Sequence, residues 1–147
     1  MSGSTISGGR TATERTRAVI EDYLSRAATR DPEHIAAVYA ERVDWHVAPN
    51  PTVPWIRARS TREDVAGHWR DLDAYTIPER AEVTLDAFLV DGADAVLTGH
   101  LSGTVRATGK VFHSPFALRL TVEDGLIVRH HVYEDGLAVA AACAPDA

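Results

Sequence analysis

Two ionisable side chains, His130 and Glu134, stand at alternating positions of the segment 126–134. The segment LIVRHHVYE alternates as a β-strand does, so one face would carry Leu126, Val128, His130, Val132 and Glu134. A buried strand face is normally apolar throughout, so two ionisable groups on it indicate a strand that lines a cavity. A histidine in apolar surroundings suits proton transfer near neutral pH, and a nearby carboxylate would fix its tautomer. We therefore predict acid–base chemistry, with Glu134 orienting His130.

A histidine, a serine and a tyrosine from other segments add polar groups to the same predicted cavity. On the predicted strand 95–107, His100 and Ser102 are two residues apart and should point to the same side. Tyr23 lies in the apolar face of the first predicted helix, as a core aromatic or as a phenol that points into the pocket. Our hypothesis is that His130 or His100 moves the proton. Tyr23 or Ser102 would then bind the substrate oxygen.

Aromatic side chains would supply apolar walls for a flat or polycyclic ligand. The predicted wall residues are Trp45, Trp55, Trp69 and Phe116.

The other histidines are interpreted as structural residues. His68 is expected at a helix edge. The strand histidines expected on faces that point away from the cavity are His46, His113 and His131. No HExxH or comparable spacing occurs, and the adjacent His130 and His131 would face opposite sides of a strand. We therefore predict neither a metal site nor a cofactor.

Composition limits the classes of protein that the chain can represent. Its 147 residues are enough for one domain with a substantial core, expected over 11–147 after a mobile Ser/Gly-rich tail at 1–10. A net charge of −6 with scattered basic residues argues against nucleic-acid binding. The single cysteine, Cys143, excludes an internal disulfide. Neither a membrane span nor a signal segment is recognised, so a soluble, cytoplasmic protein is expected.

Three helices are predicted in the first half of the chain. Apolar residues recur at helical spacing over 11–29. The sequence Asp-Pro-Glu begins a second helix over 31–40, with an N-cap followed by proline at the first position. Ser60 and Glu63 form a predicted capping box for a third helix over 60–72.

The remaining segments alternate as strands and are separated by turns. The predicted strands are 42–47, 82–90, 95–107, 110–122 and 126–134. Gly99 and Gly103 predict bulges or a strong bend, and Asp135 caps a final helix over 136–143. This order predicts an α+β fold in which the N-terminal helices pack on a curved antiparallel sheet and enclose a cone.

Three stretches carry a resemblance to a known superfamily. DPEHIAAVYAERVDWHV, STREDVAGHW and GLIVRHHVYEDGLAVAAA together resemble the NTF2-like superfamily, and within it the SnoaL-like proteins. That group includes polyketide cyclases, ketosteroid isomerases and limonene-epoxide hydrolases. The resemblance implies the cone-shaped fold over residues 13–143, whereas members of the superfamily change the groups inside the cone.

The resemblance also implies where relatives place their functional groups. The helix tyrosine of the steroid isomerases corresponds to Tyr23, their general-base aspartate falls on Val47, and their second acid falls near Phe116. The Asp-Arg-Asp set of the epoxide hydrolases falls on Ser102, His100 and Val132. The catalytic aspartate of SnoaL-type cyclases also falls near Val132. Val47 and Val132 are therefore expected to contact substrate, and imidazoles are expected to replace the relatives' carboxylates.

These observations lead to one preferred function and two alternatives. The resemblance implies a cofactor-independent enzyme of the cyclase or isomerase type, acting by acid–base catalysis on a hydrophobic oxygenated metabolite in natural-product biosynthesis. The alternatives are an epoxide-opening enzyme like limonene-epoxide hydrolase and a small-molecule binding protein without catalysis. The resemblance also implies a homodimer through the convex sheet face. The net charge and the lack of a long apolar run argue against a nucleic-acid or membrane partner.

Overall fold

The computed structural model describes residues 10–146, so the tail expected over residues 1–10 lies almost entirely outside the described residues. The helices are α1 (Ala12–Ala27), α2 (Pro32–Ala36), α3 (Arg62–Tyr75) and α4 (Gly136–Cys143). The strands are β1 (Tyr39–Val47), β2 (Glu82–Asp91), β3 (Asp94–Thr104), β4 (Val111–Glu123) and β5 (Leu126–Glu134). The α+β class expected from the sequence is confirmed.

Helix α1 begins with a capping box, in which Thr11 accepts from the Glu14 backbone N–H and Glu14 accepts from that of Thr11. Its buried face includes Ile20 and Tyr23, as the helical spacing predicts. The helix ends at Ala27, two residues before the predicted end.

Helix α2 is shorter than predicted because the chain enters the sheet early. Asp31 caps it as expected, but it ends at Ala36 instead of continuing to residue 40. The carbonyl of Val38 accepts a hydrogen bond from the N–H of Ile127, and Tyr39 already belongs to β1. Sheet pairing thus overrides the helical pattern of this segment.

Helix α3 begins one residue later than the predicted capping box. Thr61 is the N-cap, and Asp64 supplies the reciprocal side chain in place of Glu63. The Asp64 carboxylate also accepts a hydrogen bond from the N–H of Ser60, so Ser60 still contacts the cap although it is not the N-cap residue. The helix extends to Tyr75, three residues beyond the predicted end.

The sheet has the strand order β1-β5-β4-β3-β2. The pairs from β2 to β5 are antiparallel, whereas β1 lies parallel to β5, so the expectation of a purely antiparallel sheet is corrected to a mixed one. The cause is the connection: β1 is separated from the meander by α3 and can therefore join its edge in parallel.

Helices α1, α2 and α3 cover one face of the sheet, and apolar side chains fill most of the space between the two layers. The main core includes Ile20, Ile35, Val65, Leu97 and Leu120. A smaller core forms where α4 and the loop after β1 meet the sheet. None of the helices in residues 10–146 is long and apolar enough to cross a membrane.

Candidate active site

The inner face of the sheet and the helices above it enclose a cavity of about 730 Å³. Ten of the eleven residues predicted for the site line it, and they are Tyr23, Trp45, Val47, Trp55, Trp69, Ser102, Phe116, His130, Val132 and Glu134. A more open groove of about 1000 Å³ lies near α2 and is lined mainly by charged side chains, without any histidine or aromatic ring. The enclosed cavity is therefore the candidate site.

Sheet register arranges the lining residues of β1, β5 and β4 in rows. Successive rows hold Trp45, His130 and Leu120, then Val47, Val132 and Leu118, then Glu134 and Phe116. His130 and Glu134 thus lie two rows apart, with their Cα atoms about 13 Å from each other. The prediction that Glu134 orients His130 is wrong, because Val132 separates them and another side chain bonds to the imidazole.

That side chain is Tyr39, whose hydroxyl lies 2.8 Å from Nδ1 of His130. Tyr39 is fully buried behind the cavity wall, and His130 is only 4% exposed. The ring of Trp45 stacks on the imidazole at 3.9 Å between centroids and 4° between planes. Burial, with smaller contributions from His68 and His131, holds the pKa of His130 well below its usual value. His130 is therefore a neutral imidazole, fixed by packing and by one hydrogen bond.

Tyr23 lies next to Tyr39, with the two rings edge to face at 6.0 Å. Burial raises the pKa of Tyr23 to about 12, opposed by a hydrogen bond with the Tyr39 hydroxyl. The same burial raises the pKa of Tyr39 well above its usual value. Tyr23 lines the cavity. Both phenols stay protonated near neutral pH and can act as donors.

Glu134 is the one carboxylate in the lining. It is half-buried, and burial raises the pKa of its side chain. Within residues 10–146 no Lys, Arg or His lies within ion-pair distance of it. A carboxyl group of this kind can hold or release a proton nearer to neutral pH than an exposed glutamate can.

His100 does not belong to the cavity, so its predicted place is wrong. Its side chain is 65% exposed on the outer face and lies 3.4 Å from the carboxylate of Asp86. The inner positions of β3 are instead Ala95, Leu97, Gly99, Leu101 and Gly103, which are buried or half-buried. The strand runs against β4 without a register shift, so no bulge brings His100 inside. Ser102 still contributes to the lining, near the end of the strand.

Strand β5 changes face part of the way along. Ile127 is fully buried and so is His130, although strict alternation would put them on opposite faces. A register shift between Thr121 and Val122 of the partner strand accounts for this. The predicted face is therefore right from His130 to Glu134 and wrong for Leu126 and Val128.

His68 lines the cavity from α3. The helix-edge position expected from the sequence is therefore wrong. Its ring meets Trp45 edge to face at 4.9 Å. Burial, followed by the charge of Arg59, lowers the pKa of His68 to about 3. The available signal was the i, i+3, i+4, i+7 set of Val65, His68, Trp69 and Leu72, which places the histidine on the apolar face.

The loop that carries Trp55 is fixed to α3 by a buried arginine. Arg59 donates to the Trp55 carbonyl at 3.0 Å and to the Asp71 carboxylate at 2.9 Å, and its side chain is 4% exposed. This arrangement holds Trp55 in the cavity wall. The proline-rich loop is therefore attached firmly enough to shape the site.

The outward histidines lie where the sequence predicts. His46 and His113 are exposed, and Nε2 of His131 lies 3.1 Å from the carboxylate of Asp44, outside the cavity. Among residues 10–146, no group of three or more histidine, cysteine or acidic side chains is arranged to hold a metal ion.

Comparisons with solved structures agree with this architecture. An NTF2-like protein from Burkholderia thailandensis is 26% identical, with a TM-score of 0.77 over 93% of this chain and 100% of that one. A protein of ketosteroid isomerase-like fold from Catenulispora acidiphila has a TM-score of 0.69 at 16% identity, over 87% and 93% of the two chains. An epoxide hydrolase of the limonene-epoxide hydrolase-like type from Mycobacterium tuberculosis has a TM-score of 0.70 at 13% identity, over 92% and 89%.

No curated protein matches the chain. The family model described as the SnoaL-like domain matches residues 20–130, which include α3, the meander and His130. This match covers most of the chain and agrees with the resemblance seen in the sequence. The protein therefore belongs to the SnoaL-like domain family, with the NTF2-like fold.

Proposed function

We propose that the protein is a cofactor-independent enzyme of the cyclase or isomerase type, acting on a hydrophobic oxygenated metabolite through an enol or enolate. The observation that carries this proposal is the hydrogen bond between His130 and Tyr39 inside a largely apolar cavity. A neutral imidazole with one nitrogen held and the other free is suited to moving a proton at a fixed place.

In the proposed reaction, Nδ1–H of His130 donates to Tyr39, and Nε2 removes a proton from the carbon next to a ligand carbonyl. The electron pair of the broken C–H bond moves to the carbonyl oxygen, where the Tyr23 hydroxyl donates a hydrogen bond. Burial disfavours the imidazolium while the cavity is empty, whereas the enolate's negative charge would stabilise it when a ligand reacts.

Glu134 would act at the far end of the same ligand. Its separation from His130 suits a polycyclic or conjugated molecule that spans both rows. The carboxyl group returns a proton at a second position, which completes an isomerisation or assists ring closure. Proton exchange with water after product release restores both side chains.

Hydrogen–deuterium exchange at C1 of 2-tetralone, a neutral bicyclic ketone, tests the proposal. In D2O, followed by proton NMR, the wild-type protein should accelerate exchange above the buffer rate. His130→Gln should reduce the accelerated rate by about a hundredfold, the lower range for loss of a general base. The matched control is His100→Gln, on the outer face, which should exchange at the wild-type rate.

Other results would support the rival functions. No acceleration by folded wild-type protein, or equal rates for the two histidine variants, would contradict the proposal. Incorporation of labelled water from an epoxide would favour the epoxide-opening alternative, and ligand binding without exchange would favour a binding protein. A natural-product substrate, a cytoplasmic location and a homodimer through the convex sheet face stay predictions.

A further inference from the structure

His68 places a second imidazole in the cavity, on the helix layer and not on the sheet. Its ring lines the cavity between Trp69 of the same helix and Trp45 of β1, with ring centroids 6.0 Å and 4.9 Å away. Trp45 in turn stacks on His130. The reaction proposed above gives His68 no role, so its polar nitrogens need a separate explanation.

The two nitrogens of His68 have different surroundings. Nδ1 is enclosed by the protein and has no hydrogen-bond partner among residues 10–146, whereas Nε2 is not enclosed in this way. The backbone carbonyl of Trp55 is the protein acceptor that acts on the ring. A carbonyl can only accept, so we assign the single proton of the neutral ring to the enclosed nitrogen, Nδ1. Nε2 then keeps its lone pair, and since the ring lines the cavity, Nε2 is the nitrogen that a ligand can reach.

The charges around His68 keep the ring neutral. Arg59 from the loop and Arg30 from the turn after α1 disfavour a further positive charge, and Asp71 of the same helix as His68 offsets this only in part. Burial acts in the same direction and has the largest effect. The cavity therefore presents a hydrogen-bond acceptor at this wall.

We propose that Nε2 of His68 accepts a hydrogen bond from a phenol or enol hydroxyl of the ligand, which makes the substrate class a neutral, planar, hydroxylated ring system. This inference rests on the proposed function in one respect, that the cavity binds a small molecule. The hydroxyl would lie at the helix side of the cavity, against Trp45 and Trp69, and it would leave the reacting carbonyl at the sheet side near His130.

Two probes that differ only in their ability to donate test this inference. 2-Naphthol carries a hydroxyl, and 2-methoxynaphthalene carries an ether in its place. Isothermal titration calorimetry should show that the wild-type protein binds 2-naphthol about tenfold more tightly, the effect of one hydrogen bond. His68→Phe should lose this preference through weaker binding of 2-naphthol alone. The matched control is His100→Phe, which should keep it.

A measurement on the unchanged protein covers the case in which His68→Phe does not fold. Nitrogen-15 NMR of labelled histidines should show His68 as the Nδ1–H tautomer, with an Nε2 signal that shifts on addition of 2-naphthol and not of 2-methoxynaphthalene. No 2-naphthol binding, no preference in the wild type, a preference that survives in His68→Phe, or the Nε2–H tautomer would each overturn the inference. Exchange of 2-tetralone without any 2-naphthol preference would overturn it and leave the proposed function intact.

Discussion

At the scale of single residues, the position of Glu134 explains how one strand can carry two separate titratable groups in the cavity. The side chain extends from the same face of β5 as His130 but belongs to another row of the sheet. Its nearest cross-strand neighbour is Phe116, an apolar ring. The same apolar surroundings that raise its pKa also make its ionised form unfavourable in the folded protein.

This property of Glu134 predicts a pH-dependent stability difference. The folded-state pKa lies above the ordinary value of 4.5, so ionisation costs folding free energy as the pH rises through the interval between the two values. Glu134→Gln has no charge to bury and should therefore be more stable than the wild type at pH 7. At pH 4 the two proteins should have similar stability. Urea unfolding at both pH values measures the difference.

An exposed carboxylate on a neighbouring strand provides the control for this comparison. Glu123 lies at the end of β4 and is exposed, so Glu123→Gln should change stability little and equally at both pH values. A Glu134→Gln protein that is less stable than the wild type at pH 7 would contradict the burial argument. It would show that the ionised carboxylate has a stabilising partner.

At the scale of elements, the sequence predicts which strands exist better than it predicts which face of each is buried. In β1, the large rings and branched side chains share one parity, so Trp45 and Val47 are placed correctly. In β3, the inner positions include two glycines, whereas the outer positions begin with Val96 and Thr98. The apolar volume of the side chains therefore does not distinguish the inner from the outer face of β3, and the face predicted for His100 is the wrong one.

The inner glycines of β3 are required by close contacts that a sequence does not display. A Cβ atom at Gly99 would lie 1.9 Å from the backbone carbonyl oxygen of Thr84, beside the register shift between Leu85 and Ala87 of β2. At Gly103, the added atom would meet the Phe112 ring at 2.6 Å. These contacts arise from the detailed pairing of neighbouring strands, including the register shift in β2, and only the folded sheet reveals them.

The contact at Gly99 predicts a large effect of a small substitution. Gly99→Ala should lower the free energy of unfolding by at least about 2 kcal/mol, because the obstructing atom belongs to the backbone and cannot rotate away. Thr98→Ala, on the outer face of the same strand, should cost less than about 1 kcal/mol. Urea unfolding measured by circular dichroism would compare the two. Equal effects would mean that β2 can move away from β3 without loss.

At the scale of the whole molecule, most charged side chains lie at the surface, whereas the cavity is largely apolar. The net charge of −6 is carried by side chains that are mostly exposed or half-exposed, and several are held in ion pairs across the outer face of the sheet. At the cavity, burial holds the pKa values of His68 and His130 below and that of Glu134 above their ordinary values, which disfavours the charged form of each. This separation allows a negatively charged protein to present an apolar site, and it links the site to stability through pH.

The two histidines of the cavity should make the protein sensitive to mild acid. Both His68 and His130 have folded-state pKa values below the ordinary 6.5, so the unfolded chain takes up protons first as the pH falls below 6.5. Each histidine should then lower the free energy of unfolding by up to about 1.4 kcal/mol per pH unit. For His68, the loss continues down to a pH of about 3.

Urea unfolding between pH 5 and 6.5 measures how the free energy of unfolding changes with pH. This slope should be shallower in His68→Gln than in the wild type, while His100→Gln, exposed on the outer face, keeps the wild-type slope. Equal slopes in all three proteins would show that His68 is protonated in the folded state, against the neutral ring on which its proposed ligand contact depends.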